Sequence, residues 1–217
     1  MYIVTLFGKS IYSNKLEIDA EKIVSMIDNP RKSYNNVDGD REAQKKDLYV
    51  LENPKFKFLK DIILKELHSY AHNEMRYVNE FQITTSWFTQ LDKNESSQWH
   101  NHNNCFLSGV LYLQTSKDCG NIIFDDFSNN RNQLLIKEYN TLNCKQFACE
   151  PEDGLILFFP SELFHKVEEN KSERTRYSLS FNVIPVGVVG STTGDSHILT
   201  MDGDSYEKSI KRFLYND

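Results

Sequence analysis

The sequence predicts an α+β fold, with helices in the first third and an antiparallel β-sandwich or jelly roll behind them. Three observations carry this. Apolar residues recur at three- and four-residue intervals up to about Tyr77, and beyond it the period drops to two. The later part breaks into seven or eight short apolar runs separated by turn formers. The 217 residues, 39% of them hydrophobic and 12% aromatic, are enough for one sizeable buried core.

The elements follow in order. Met1 to Lys9 is an apolar, strand-like start. Asp19 is suited to cap a helix running to Ile27, because its carboxylate can accept from first-turn amides, and Ile23, Met26 and Ile27 share one face. Residues 29–47 lack periodicity and are dense in turn formers, so they are expected as an exposed loop with the length of a lid. From Pro54 to about Met75, Phe58, Ile62, Ile63, Leu67 and Tyr70 mark an amphipathic helix, with His68 and His72 one turn apart on a solvated face. Strands are expected at 82–90, 106–113, 121–124, 134–137, 154–159, 165–167 and 176–183. The stretch from Gly187 is small and polar and closes on Tyr206, Ile210, Phe213 and Leu214 at helical spacing. One domain over 1–217 results, with 1–80 as helical support, 81–185 as the β core and 186–217 as a tail with a short helix.

Composition narrows the function. Thirty-one acids against 25 bases give a formal charge of -6, which argues against a protein built to coat phosphate backbones. No run approaches the length of a membrane span, and Met1 to Lys9 lacks the basic and long apolar regions of a secretion signal, so a cytoplasmic protein is expected. Cys105, Cys119, Cys144 and Cys149 form no Cys-x-x-Cys pair and are expected as reduced thiols.

Glycine-rich phosphate loops, a Gly-x-Ser-x-Gly elbow and zinc-finger spacings are all missing, which leaves the histidines. His100-Asn-His102 lies between two predicted strands, and in an extended segment side chains two apart face the same way, so both imidazoles can meet one ion. Downstream, the apolar strand from Gly154 ends in a turn that places His165 at the rim of the roll. The next strand carries Arg176 and Ser178 on a common face, where a planar guanidinium and a hydroxyl suit the grip of a small carboxylate.

Four blocks stand in order: His100-Asn-His102, Ser108-Gly-Val-Leu-Tyr112, Phe159-Pro-Ser-Glu-Leu-Phe-His165 and Arg176-Tyr-Ser-Leu-Ser-Phe-Asn182. In this the chain resembles the Fe(II)- and 2-oxoglutarate-dependent oxygenases, within them a small branch with His-x-His, Phe-Pro-x-x-x-x-His and Arg-x-Ser-x-Ser-Phe-Asn motifs. The resemblance covers about residues 81–185 and implies a double-stranded β-helix, a cupin-like jelly roll, with the N-terminal helices packed on it. It implies His100 and His165 as iron ligands, Arg176 with Ser178 on the distal carboxylate of 2-oxoglutarate, and Gly120 at the start of the strand that covers the site. The activity implied is a dioxygenase that consumes O2 and 2-oxoglutarate, releases succinate and CO2, and by default hydroxylates a C–H bond.

One position departs from the pattern. The superfamily's second ligand is usually Asp or Glu, and here it is His102. His102 is expected as the third ligand, with Asp125, Asp126 or a water as the alternatives. Three imidazoles also suit zinc, although zinc hydrolysis needs no dicarboxylate clamp such as Arg176-x-Ser178. A three-histidine, cupin-like metal enzyme without 2-oxoglutarate stays open, as does a catalytically silent β-roll that binds a carbohydrate or a protein. The Tyr112 hydroxyl either reaches the cosubstrate or belongs to a packed core ring. Trp87 and Trp99 read as core or pocket wall, Arg174 as a solvated turn residue, and His197 as part of the polar tail. Residues 29–47 and 125–133, the lid candidates, carry no code for a substrate.

Overall fold

The computed structural model describes residues 8–32, 48–127, 135–189 and 198–200. Two sheets face one another, and helices cover the back of the larger. In chain order the elements are β1 (Tyr12–Lys15), α1 (Ala20–Ser25), β2 (Arg31–Lys32), α2 (Lys57–His68), β3 (Glu80–Leu91), β4 (Leu107–Gln114), β5 (Ile122–Asp125), β6 (Gln146–Cys149), β7 (Leu155–Pro160), β8 (Phe164–Val167), β9 (Arg176–Val189) and β10 (Ile198–Thr200). The larger sheet runs β1-β7-β4-β9-β3-β2, with β10 also on β9, and the smaller runs β6-β5-β8. Every pairing is antiparallel except β2 with β3. Among the described residues the sheets do not close into a barrel. No described helix is long and apolar enough to cross a membrane.

The two-residue period of the strands divides the core in two. On one face of the larger sheet Leu107, Leu111, Ile156, Phe158, Leu179, Phe181 and Val183 meet the helices. On the other, Val110, Tyr112, Leu157 and Phe159 meet Ile122 and Phe124 of the smaller sheet. The cap at Asp19 forms as expected, with its carboxylate accepting from the Lys22 amide at 3.0 Å. Ile23 is buried, and Met26 and Ile27 pack partly buried against the same core.

Four differences from the sequence-based expectations have local causes. Ile63, Leu67 and Tyr70 of the predicted helical face are buried as expected, but at its start Leu59 is buried in place of Phe58, which is exposed, and Ile62 stands at the edge of the stripe. Beyond His68 the helix widens into a π-helical turn, Ser69–Glu74, that keeps both Tyr70 and Ala71 buried. In the run 134–137, residues 135–137 form no strand, and Leu135 is fully exposed. A strand not expected from the sequence, β6, pairs with one edge of β5 and β8 with the other, and Cys149 of β6 stands opposite Ile122 and packs against the inner core. The polar β1 had no periodic signal, since its place on β7 is fixed by backbone pairing. The apolar start up to Phe7, the loop residues 33–47 and 128–133, His197 and the helical pattern after it lie outside the described residues.

Gly109 explains part of the Ser-Gly-Val-Leu-Tyr block. A Cβ there would stand 2.3 Å from the ring of Phe181 and 2.8 Å from the Leu157 carbonyl oxygen. Phe181 is fully buried and has no room to retreat. Gly109→Ala is therefore expected to destabilise the protein by about 1–3 kcal/mol through overpacking. In urea denaturation the midpoint should fall with the slope unchanged.

Candidate metal centre and anion clamp

The segment after β3 runs alongside β8 like an additional strand. His100 and His165 exchange both backbone hydrogen bonds, at 3.0 and 2.8 Å, and the His102 amide donates to the Ser161 carbonyl at 2.9 Å. Residues opposed in this way carry their side chains on the same face, and His102 returns to that face two residues on. The ring centroids lie 4.3 Å apart for His100 and His165, 5.1 Å for His102 and His165, and 5.4 Å for His100 and His102. One ligand atom from each ring falls within 4.8 Å of the other two.

The second nitrogen of each ring is already engaged. His100 Nδ1 donates to the Gln98 carbonyl at 2.8 Å, His165 Nδ1 to the Leu163 carbonyl at 2.9 Å, and His102 Nδ1 to Asn182 Oδ1 at 2.6 Å. An oxygen that can only accept fixes the proton on Nδ1, so each ring offers Nε2 as its lone pair. The Asn182 amide is oriented in turn by its Nδ2 donating to Thr85 Oγ1 at 3.0 Å and by Ser108 Oγ donating to Oδ1 at 2.9 Å. Ser108, Asn182 and Thr85 stand side by side on β4, β9 and β3, so one row across three strands positions His102. Burial holds the His102 imidazole below its ordinary pKa, and nearby His100 adds to the effect. His165 is pushed down to about 3, first by burial and then by the neighbouring His100. Both rings are neutral, as metal ligands must be.

Below this cluster, between the sheets, lie Arg176, Ser178 and Tyr112, all buried. Ser178 faces Tyr112 across β9 and β4, and the Arg176 guanidinium lies 4.9 Å above the Tyr112 ring. Arg176 Nη1 donates to the Gly120 carbonyl at 2.8 Å, and none of the described carboxylates pairs with the guanidinium. Gly120 does not begin the covering strand, which starts at Ile122; its part is to present that carbonyl. Its φ of 87° and the 2.3 Å that would separate a Cβ from the Glu168 carbonyl oxygen both require glycine. The Tyr112 hydroxyl is buried without a partner, and burial pushes its pKa up to about 12, so it is a neutral donor.

The acids considered for the third position stand elsewhere. Asp125 lies one residue beyond Phe124, which faces His165, so its side chain projects from the opposite face of β5, where it accepts from Gln146 at 2.8 Å. Asp126 is 3.5 Å from Lys9. Among the described residues no carboxylate joins the histidine group. Trp87 and Trp99 line a cavity of about 580 Å³ that opens on His100 and His102, as pocket wall. Arg174 is exposed and hydrogen-bonds Gln114 and Thr115. His68 and His72 are stacked at 5.3 Å but half-buried rather than solvated, because His72 bonds the Asn79 carbonyl and His68 lies 3.5 Å from Glu80. Sequence reasoning missed Asn182 as a partner of His102. Its even spacing from Arg176 and Ser178 along one strand is the signal that places it on the same face.

Residues 85–182 match a family model described as "Putative 2OG-Fe(II) oxygenase", a span that includes His100, His102, Tyr112, His165, Arg176, Ser178 and Asn182. The resemblance to the Fe(II)- and 2-oxoglutarate-dependent oxygenases is thereby shown for that span. The fold is similar to HygX from Streptomyces hygroscopicus, solved with nickel and 2-oxoglutarate bound, at 12% identity over 82% of each chain with a TM-score of 0.53. An oxidoreductase of the 2OG-Fe(II) oxygenase family from Burkholderia pseudomallei aligns at 14% identity, over 57% of this chain and 55% of that one, with a TM-score of 0.43. A prolyl-4-hydroxylase from Pseudomonas putida aligns at 18% identity, over 56% of this chain and 61% of that one, with a TM-score of 0.39. The chain thus spans less than two thirds of the length of the latter two. No protein of curated function matches.

The depressed histidines make stability depend on pH in a stated direction. In the unfolded chain His165 takes up a proton near its ordinary value of 6.5, whereas in the native protein it does so only near 3. Its contribution is therefore fully present above about pH 6.5 and is lost as pH falls toward 3, at about 1.4 kcal/mol per pH unit. Urea denaturation of the metal-free protein between pH 7 and 4 should show this slope. His165→Gln should flatten it by about one proton.

Proposed function

We propose that the protein is an Fe(II)- and 2-oxoglutarate-dependent dioxygenase that hydroxylates a C–H bond of its substrate. The observation that carries this is the pairing of a three-imidazole cluster with a buried guanidinium and a buried phenol that, among the described residues, have no carboxylate partner and no hydrogen-bond partner respectively. A buried cation is costly unless paired, and these groups have the shape and charge to hold a small dicarboxylate. The donor set fits the metal as well, since neutral imidazoles suit divalent iron. When bound, iron and 2-oxoglutarate supply the oxidising power, with succinate and CO2 as products.

The chain's own residues do the rest. His100, His102 and His165 hold the ion through Nε2, each ring kept in one tautomer by the acceptor on its Nδ1. Arg176 presents its fork to the distal carboxylate, and Ser178 and Tyr112 donate hydroxyl protons to it. The Gly120 carbonyl and the Tyr112 ring fix the plane of the guanidinium. Val110, Ile122, Phe124, Leu157, Phe159 and Leu163 surround this space with apolar surface and exclude water from it.

Two measurements test the assignment. His100→Ala and His165→Ala should each lose stoichiometric iron while the fold survives, and full iron retention by both would refute the metal site. Titration of 2-oxoglutarate into the anaerobic Fe(II) protein, followed by its metal-to-ligand absorption band, tests the clamp. Arg176→Ala should weaken binding by roughly 30-fold to several thousandfold, the range for losing the partner of a buried carboxylate. Arg176→Lys keeps the charge but loses the fork, and should fall between. If Arg176→Ala binds as tightly as the parent, or the parent shows no band, a three-histidine metal enzyme that does not use 2-oxoglutarate replaces this reading.

A further inference from the structure

The cavity that opens on His100 and His102 has Thr85, Trp87 and Asn182 in its wall as well. Thr85 and Asn182 also belong to the row that positions His102, so that row has one end at the metal centre and the other in the cavity. A β-bulge brings Thr85 there. Ile83 stands opposite Val183 and Thr85 opposite Asn182, which leaves Thr84 as an extra residue in β3. Ile83 packs toward the helices, and strict alternation would send Thr85 after it, whereas the bulge turns Thr85 and Trp87 to the site. Both bulge threonines hold Asn182: Thr84 Oγ1 donates to its main-chain carbonyl at 3.3 Å, and Thr85 Oγ1 accepts from its Nδ2 at 3.0 Å. Trp87, with the Arg31 guanidinium 5.2 Å over its ring, gives the cavity an aromatic wall.

Every partner of the Asn182 amide can both donate and accept. Thr85 and Ser108 are hydroxyls, and a neutral imidazole can carry its proton on either nitrogen. The amide can therefore turn end for end without losing a hydrogen bond. In the orientation observed, Oδ1 accepts from His102 Nδ1 and from Ser108 Oγ, and Nδ2 donates to Thr85 Oγ1. In the inverted one, Nδ2 would donate to His102 Nδ1 and Ser108 Oγ, while Oδ1 would accept from Thr85. The His102 proton would then sit on Nε2, the nitrogen that must be bare to take a metal. Within the row the two orientations make the same number of hydrogen bonds, so what separates them lies at its ends. At one end is a metal ion on Nε2, and at the other is whatever meets the Thr85 hydroxyl. In the observed orientation that hydroxyl has its proton left for the cavity, and in the inverted one it has only a lone pair left.

We propose that Thr85 is a positioning residue that couples substrate to metal: a substrate ring lodged against Trp87, with an oxygen that accepts from the Thr85 hydroxyl, holds Asn182 in the metal-ready orientation. A ligand that offers Thr85 a donor does the reverse. The cavity thus prefers a ring compound that carries an acceptor oxygen, and by linkage the metal tightens the grip on that compound by the same factor. This deepens the function proposed above and rests on its metal site, not on 2-oxoglutarate.

Three ring probes test the inference: acetophenone, which only accepts, pyrrole, which only donates, and toluene, which does neither. Zinc affinity is measured by competition with a chelating dye in the presence of each. Acetophenone should tighten zinc binding by about two- to tenfold, the range for one neutral hydrogen bond, pyrrole should weaken it, and toluene should leave it unchanged. Thr85→Val, which keeps the shape and removes the hydroxyl, should abolish both effects, and Thr85→Ser should retain them. Asn182→Asp accepts at both ends, so it should hold zinc without response to any probe. Ring-nitrogen NMR of the metal-free protein reads the His102 tautomer directly: acetophenone should raise the Nδ1–H form and pyrrole the Nε2–H form. A zinc affinity that neither probe moves in the parent, or that both move equally in Thr85→Val, overturns the inference. So does a change in zinc affinity with no change in the His102 tautomer. If the tautomer responds but the parent takes up no zinc, the metal reading fails and the coupled row stands. If the coupling is present but the iron form shows no 2-oxoglutarate absorption band, the oxygenase reading fails and the inference stands.

Discussion

The pair of backbone hydrogen bonds between His100 and His165 sets the geometry of everything around it. These bonds tie the segment after β3 to β8, and thereby bring residues remote in sequence onto one face. Side chains in extended segments alternate, so a slip of one residue would turn His100 and His102 away from His165 together. The position of the cluster is thus a matter of register, held by amides and carbonyls that any sequence possesses. What the sequence adds is imidazole at the three places where register converges.

The same alternation makes the larger sheet a boundary between two environments. Toward the helices it presents a continuous apolar face, which supplies cohesion. Toward the smaller sheet the apolar residues are interrupted by Arg176, Ser178, Tyr112, Ser108 and Asn182. In this low-dielectric space a charge interacts strongly with whatever lies near it, and water contributes little screening. With three imidazoles above and a guanidinium below, the interior of an acidic protein is locally suited to anions and to a divalent cation together.

Much of this was legible in the sequence because it depends on local periodicity. The cap at Asp19, α2 and most strands follow from spacing, and His100 with His102 from the two-residue alternation. Elements held by pairing were not legible: β1 is polar, and β6 carries no clear strand signal although its Cys149 packs against the inner core, while Leu135 in the expected run stays exposed. The face of α2 was legible from Ile63, Leu67 and Tyr70, but its first residue was not, since Phe58 and Leu59 are both apolar and only packing chooses between them. Within the site, the row of Ser108, Asn182 and Thr85 required lateral register across three strands, which no local pattern encodes. The approach of Arg31 to Trp87 has the same origin, because β2 joins β3 from far along the chain.

The three acceptors that hold the imidazoles differ in kind. Two are main-chain carbonyls, of Gln98 and Leu163, and one is the side-chain amide of Asn182. Substitution at residues 98 or 163 leaves the acceptor in place, whereas substitution at 182 removes that acceptor or changes its charge and leaves Ser108 Oγ, 2.9 Å from the same nitrogen, as its neighbour. The cluster is therefore heritable in an uneven way: the Nδ1 acceptors of His100 and His165 are insulated from point mutation, and that of His102 is open to change by a single codon. The electronic character of the cluster thus has an accessible handle, and that handle sits on the same strand as the guanidinium below.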